Sequence, residues 1–150
     1  MRILFCVDGS DLAERAAVAA ARLLKPLRPE GTILHVLPEV DQRLRHYERL
    51  HEEALQDIER QFGAEEPAFV VGVRAAQKAL RQVGLKVTRK VRSGEPVEQI
   101  VQEAREGVYD LVVVGSHGRT GLGSLLLGSV SRGVAEQSAT PVLVIKARPA

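Results

Sequence analysis

The spacing of apolar positions changes repeatedly along this chain, and the changes mark out its elements. Arg2 to Val7 (RILFCV) is a short apolar run of strand formers. It runs into Asp8-Gly9-Ser10-Asp11, a turn and helix-start signal. Leu12 to Lys25 is alanine-rich without Gly or Pro, which favours helix. Pro26 and Pro29 end it, because proline lacks the amide a helix needs. Gly31 opens a second strand-length run, Thr32 to Leu37. From Asp41 to Phe62 the period becomes helical. Tyr47, Leu50, Ala54, Ile58 and Phe62 recur at threes and fours and make one apolar stripe. Gly63 to Pro67 interrupts it. Phe69, Val73, Ala76, Leu80 and Val83 then form another stripe, with Gly84 placed as its C-terminal cap. One kinked helix and two separate helices both fit this region.

Leu85 to Arg92 alternates Leu85, Val87, Arg89 and Val91, the pattern of a half-exposed strand near a sheet edge. Ser93-Gly94-Glu95-Pro96 starts a helix with proline in its first turn. Val97, Ile100, Val101 and Ala104 give that helix its buried face, and Gly107 ends it. Asp110 to Val114 is apolar on both faces, as central parallel strands are. A Gly- and Ser-rich loop from Gly115 to Gly123 leads to a helix from near Gly128-Ser129 to Ser138, and Pro141 to Ile145 is the last strand. Strands that alternate with helices imply right-handed crossovers and a parallel sheet covered on both faces. The expectation is an α/β fold: a five-stranded, parallel, doubly wound sheet in one domain spanning residues 1–150. Its binding crevice lies at the carboxyl ends of the strands, where the winding direction switches.

Composition narrows the function classes. The chain has 150 residues, 45% hydrophobic and 27% charged, which suits one globular domain. Aromatics are only 3% and there is no Trp, too few rings for a single-strand stacking platform. The net charge of +2 is spread without a basic block, so no nucleic-acid or membrane-surface footprint is expected. No apolar run approaches the roughly 18 residues a bilayer span needs. The lone Cys6 excludes an internal disulfide and a cysteine-based zinc site. Met1-Arg2-Ile3-Leu4 runs straight into a strand without a signal-peptide pattern, so a cytoplasmic protein is expected.

The chemistry concentrates in the stretch from Gly115 to Ser129. Gly115 and Gly118 follow a buried strand, and Gly128 and Ser129 open a helix. Glycines let backbone approach a bulky anion, and helix N-terminal amides carry partial positive charge and unsatisfied donors. Together they make a phosphate cradle, to which Ser129 adds a hydroxyl. The spacing is neither a Walker A loop nor a dinucleotide fingerprint. Asp8, at the carboxyl end of the first strand, faces the expected crevice, and a carboxylate suits a pair of ribose hydroxyls. Capping of the next helix is the competing role, which Ser10 or Asp11 can also fill. His117 and Arg119 sit in the glycine loop within reach of a phosphate or of solvent. His35 reads as a satisfied structural histidine, Cys6 as a small buried hydrophobe, and Glu52-Glu53 with the nearby arginines as a solvated face. His46 and His51 have no metal-ligand partner pattern.

The spacing Gly115-x2-Gly118-x9-Gly128-Ser129 resembles the ATP-binding signature of the universal stress protein family. The opening ILFCVDGSDLAERAA, Leu34-His35-Val36, Val91 to Pro96, Val114 to Arg119 and Pro141 to Ile145 resemble that family's strands and turns over nearly the whole chain. The resemblance implies the strand order 3-2-1-4-5 and ATP as ligand, with Mg²⁺ or Mn²⁺ carried on its phosphates. It implies that Asp8 holds the ribose, Val36 the adenine, and Val114 and Gly115 the base and sugar. Gly118, Gly128, Ser129 and Val130 then hold the phosphates, with Arg119 assisting. It also points to a homodimer, which the edge strand 141–146 would pair across a two-fold axis, since its run from Val142 to Ile145 is apolar and carries no gatekeeping charge. The expected function is a nucleotide-dependent switch or binding module. A slow ATPase at the same site is the alternative, though the chain shows no acidic cluster for metal. A nucleotidyl transferase or pyrophosphatase motif is missing from the chain.

Overall fold

Each apolar run becomes a strand, and each amphipathic stretch between runs folds back across the sheet. The computed structural model describes residues 1–37, 49–65, 67–117 and 127–147. In chain order the elements are β1 (Arg2–Cys6), α1 (Asp11–Leu24), a 3₁₀ turn at Lys25–Leu27 and β2 (Glu30–Leu37). Next come β3 (Arg49–His51), α2 (Glu52–Phe62), a second 3₁₀ turn at Gly63–Glu65, α3 (Ala68–Val83) and β4 (Lys86–Ser93). The chain then forms α4 (Pro96–Glu106), β5 (Leu111–Gly115), α5 (Ser129–Gln137) and β6 (Val142–Ile145).

The sheet order among the described residues is β3-β4-β2-β1-β5-β6. Its five parallel strands, β4-β2-β1-β5-β6, reproduce the expected 3-2-1-4-5 order. The sheet has six strands rather than five, because β3 adds to β4 in antiparallel register, with Leu50 opposite Val91. The expected helix from Asp41 to Phe62 is therefore corrected: helix begins only at Glu52, and residues 41–48 lie outside the described residues. Leu50, assigned to the helical stripe by its spacing, is buried from a strand instead. The open edge of β4 offers a hydrogen-bonding partner that outcompetes one more turn of helix. The region 52–83 forms two helices, separated at Gly63 with φ of 53°.

Alternation along each strand divides the core. Ile3 and Phe5 of β1 face α1 and α3, joined by Ile33, Val113 and the alanine face of α1. Leu4, Leu34, Val112 and Val114 point the other way, onto Ile100 and Ala104 of α4 and Val134 of α5. Helices cover both faces, as a parallel sheet requires.

β4 is one strand in from the edge, so its arginines are buried. Arg89 Nη2 donates to Glu52 Oε1 at 2.8 Å, its amide donates to Glu52 Oε2 at 2.8 Å, and its Nη1 also pairs with Glu59. Glu52 is thus an anchor of α2 onto β4 and not part of a solvated face. On the opposite face Arg92 Nη1 donates to Glu103 at 2.9 Å and Glu106 at 3.2 Å, and Lys90 Nζ donates to Glu103 at 2.7 Å. Burial alone would raise the carboxyls of Glu52 and Glu103, but the hydrogen bonds from Arg89 and from Lys90 and Arg92 hold both below the ordinary glutamate value. The Tyr109 hydroxyl also donates to Glu103 at 2.9 Å, and burial pushes that phenol up to about 12.

Candidate functional site

The parallel strands β1, β2 and β5 end together, and their carboxyl ends open onto a cavity of about 330 Å³. It lies at the switch point between β1 and β5, where the chain leaves one side for α1 and the other for α5. Its walls are aliphatic. Cys6, Leu34, Val36, Ile100 and Val114 line it, with Pro96 from the first turn of α4. Burial drives the Cys6 thiol pKa upward, so the side chain stays a neutral apolar filler. Among the described residues, no Phe, Tyr or Trp lines the cavity.

The β1 side of the mouth is held by a chain of local bonds. The Val7 amide donates to the Leu34 carbonyl at 2.9 Å, extending the β1–β2 pairing by one residue. His35 Nδ1 lies 2.9 Å from the Val7 carbonyl oxygen. A carbonyl only accepts, so Nδ1 carries the proton, and the buried ring stacks on Phe69 at 6.4 Å between centroids. His35 is structural, as its strand position suggested. Asp8 lines the cavity, and its Oδ1 accepts from the Ser10 amide at 2.9 Å. Ser10 Oγ in turn accepts from the Ala13 amide at 3.2 Å and is the side-chain cap of α1. The capping role considered for Asp8 thus falls to Ser10, while Asp8 shapes the turn and faces the cavity.

The opposite side is the start of α5. The Gly128 amide donates to the Ser116 carbonyl at 2.7 Å, and the Ser131 hydroxyl shares its one proton between the Gly128 carbonyl at 2.9 Å and the Ser116 carbonyl at 3.2 Å. These bonds fix the helix start against the end of β5. The first intrahelical bond runs from the Arg132 amide to the Gly128 carbonyl at 3.0 Å. The amides of Ser129, Val130 and Ser131 therefore have no intrahelical acceptor and are the orphan donors of this helix among the described residues. Gly128 supplies no side-chain cap, and the first turn has no acidic residue. A Cβ on Gly128 would sit 3.1 Å from the Ser116 carbonyl oxygen, closer than ordinary contact. His117 also lines the cavity, with Nδ1 at 3.0 Å from Ser116 Oγ.

Asp8, Val36, Val114, Gly115, Gly128, Ser129 and Val130 all line this one cavity. Gly118 and Arg119 lie outside the described residues. Sequence reasoning missed Ser131 and the α4 contribution of Pro96 and Ile100. Ser131 was visible as a serine three residues after a glycine N-cap, the spacing at which a hydroxyl reaches back to the helix start. No group of three or more His, Cys, Asp or Glu is placed to hold a metal ion among the described residues. No described helix is long and apolar enough to cross a membrane. The site combines an apolar slot, a carboxylate on one rim and open helix amides on the other, which suits a flat apolar ring carrying an anionic group.

The chain is similar to known proteins over nearly its whole length. The profile of the Universal stress protein family matches residues 1–146. Universal stress protein YxiE of Bacillus subtilis is 32% identical over 97% of this chain and 98% of its own length. Universal stress protein MJ0577 of Methanocaldococcus jannaschii is 33% identical over 97% of this chain and 94% of its own. Its solved structure superposes with a TM-score of 0.70, covering 99% of this chain and 97% of that one. A universal stress protein crystallised in complex with cAMP superposes with a TM-score of 0.72 at 26% identity, covering 99% and 98% of the two chains. By motif, topology and whole-length similarity, the chain belongs to the universal stress protein family.

Proposed function

We propose that this protein binds an adenine nucleotide in the β1–β5 cavity and acts as a nucleotide-dependent switch or binding module. The observation that carries the reading is the helix start at Gly128: three orphan amides, no side-chain cap and no first-turn acid, at the rim of an aliphatic slot. The similar protein crystallised with cAMP supports adenine as the base. In this reading Val36 and Val114 flank the base, and Asp8 accepts from the ribose hydroxyls. The amides of Ser129, Val130 and Ser131 meet the phosphates. ATP is the ligand proposed for the cell, with Mg²⁺ or Mn²⁺ arriving on its phosphates.

The test is to purify the protein without added nucleotide, identify what co-purifies, and titrate ATP with Mg²⁺ while following phosphate release. Saturable ATP binding with no release above a protein-free control supports a binding module. Release well above that control would make the protein an ATPase, and no binding of any adenine nucleotide would overturn the reading.

The proposed assembly is a homodimer through 141–146. β6 is an edge strand that pairs with β5 alone in the described sheet, and Val142, Leu143 and Val144 are only half-buried there. An apolar edge of this kind pairs readily with a second copy. Sedimentation of Val144→Lys is expected to show a lighter species than the parent, and an unchanged mass would remove this interface.

A further inference from the structure

The nucleotide cavity has one polar ring whose bonding is incomplete. His117 follows β5 by two residues and lines the cavity. Its Nδ1 is 3.0 Å from Ser116 Oγ. Its Nε2 is buried and has no hydrogen-bond partner among the described residues. A buried ring nitrogen without a partner is costly, and in a native fold such an atom calls for a reason. The position of the ring supplies one. The atom that a Cβ on Gly128 would meet next after the Ser116 carbonyl is the His117 Cα, at 3.6 Å. The ring therefore springs from the backbone packed directly against the start of α5, beside the orphan amides.

We infer that His117 Nε2–H is a further phosphate donor of this site, acting with the α5 amides on the charged end of the nucleotide. The inference rests on the nucleotide-binding reading above. Phosphate oxygens only accept, so a bound phosphate selects the state with the proton on Nε2. In the neutral ring Nδ1 is then an acceptor, and the Ser116 hydroxyl donates to it. Ser116 is thus a positioning residue that holds the ring in the donor tautomer. The base and ribose end of the cavity, between Val36 and Val114, does not involve His117 in this arrangement.

The experiment is calorimetric titration of adenosine, AMP and ATP into the parent, His117→Phe and His117→Gln. Phe keeps a planar ring and loses the donor, whereas the Gln amide nitrogen reaches about where Nε2 stands. AMP and ATP are expected to bind His117→Phe about tenfold more weakly, the loss of one hydrogen bond to a charged group. His117→Gln should recover most of that, and adenosine should bind all three alike. Equal AMP and ATP affinity in the parent and both variants would overturn the inference, as would adenosine weakening by the same factor or a Gln variant as weak as Phe. If the parent itself binds no adenine nucleotide, the nucleotide-binding reading fails and takes this inference with it. A parent that binds while His117 proves silent leaves that reading standing.

Discussion

α1 and α5 begin at the same end of the sheet, after neighbouring parallel strands, yet their N-termini are built in opposite ways. At α1 the Ser10 hydroxyl accepts from the Ala13 amide, and Asp11 and Glu14 occupy the first turn. Asp11 is further tied to Arg15 at 2.9 Å. The positive end of that helix is answered by its own side chains. At α5 the N-cap is Gly128, with neither a capping side chain nor a first-turn acid. Both helices have the same backbone dipole, and only the one left unanswered is available to a ligand. On the proposed reading, the anion site is made by what the sequence withholds from a helix start as much as by what it supplies.

That contrast can be broken deliberately. The largest effect is expected from Ser129→Asp, which gives α5 the first-turn acid that α1 already has. Ser129 is exposed, so the carboxylate fits without crowding. Phosphate would meet a fixed negative charge, and AMP and ATP affinity should fall by about 100-fold in calorimetry. Adenosine affinity should hold, and the melting temperature should hold or rise, because an acid in the first turn supports the helix. Gly128→Ala tests the close approach itself. The added Cβ stands 3.1 Å from the Ser116 oxygen and must push the helix start back by tenths of an ångström. About tenfold weaker nucleotide binding is expected, with a stability cost of about 1 kcal/mol in urea.

Ser10→Ala is the mirror experiment on α1. Loss of the cap should cost about 1 kcal/mol in urea unfolding. Nucleotide affinity should barely change, and a drop as large as that of Gly128→Ala would erase the distinction between the two helix starts. The smallest effect concerns pH. Glu52 and Glu103 are held below the ordinary glutamate value in the fold, so each contributes stability that is present above the unfolded value of 4.5. That contribution is lost as pH falls through the folded values. Urea midpoints should decline on acidification below about pH 4.5 by the same amount in the parent and in Ser10→Ala, because neither glutamate touches the cap.

The five parallel strands, and the β1, β2, β5 and α5 residues that line the cavity, were legible because their signals are local. A turn signal after an apolar run, a proline in a first turn and a glycine before a helix each act within a few residues. β3 was not legible. Leu50 fits the helical stripe by spacing, and only the unpaired edge of β4, about 40 residues later in the chain, draws it into a strand. Arg89 shows the same limit from the other side. Its alternation with Val87 and Val91 predicts a half-exposed strand, whereas its side chain is buried. Its partners Glu52 and Glu59 lie 37 and 30 residues away, and no local pattern joins them.

The central claim is that the α5 amides, and not those of α1, receive the phosphates. Proton–nitrogen correlation spectra recorded during an ATP titration test it most directly. The Ser129, Val130 and Ser131 amides should shift strongly and saturably, more with AMP and ATP than with adenosine, while Asp11 and Leu12 stay nearly still. Shifts centred on Asp11 and Leu12, or equal shifts at Ser129 to Ser131 with adenosine and ATP, would contradict it.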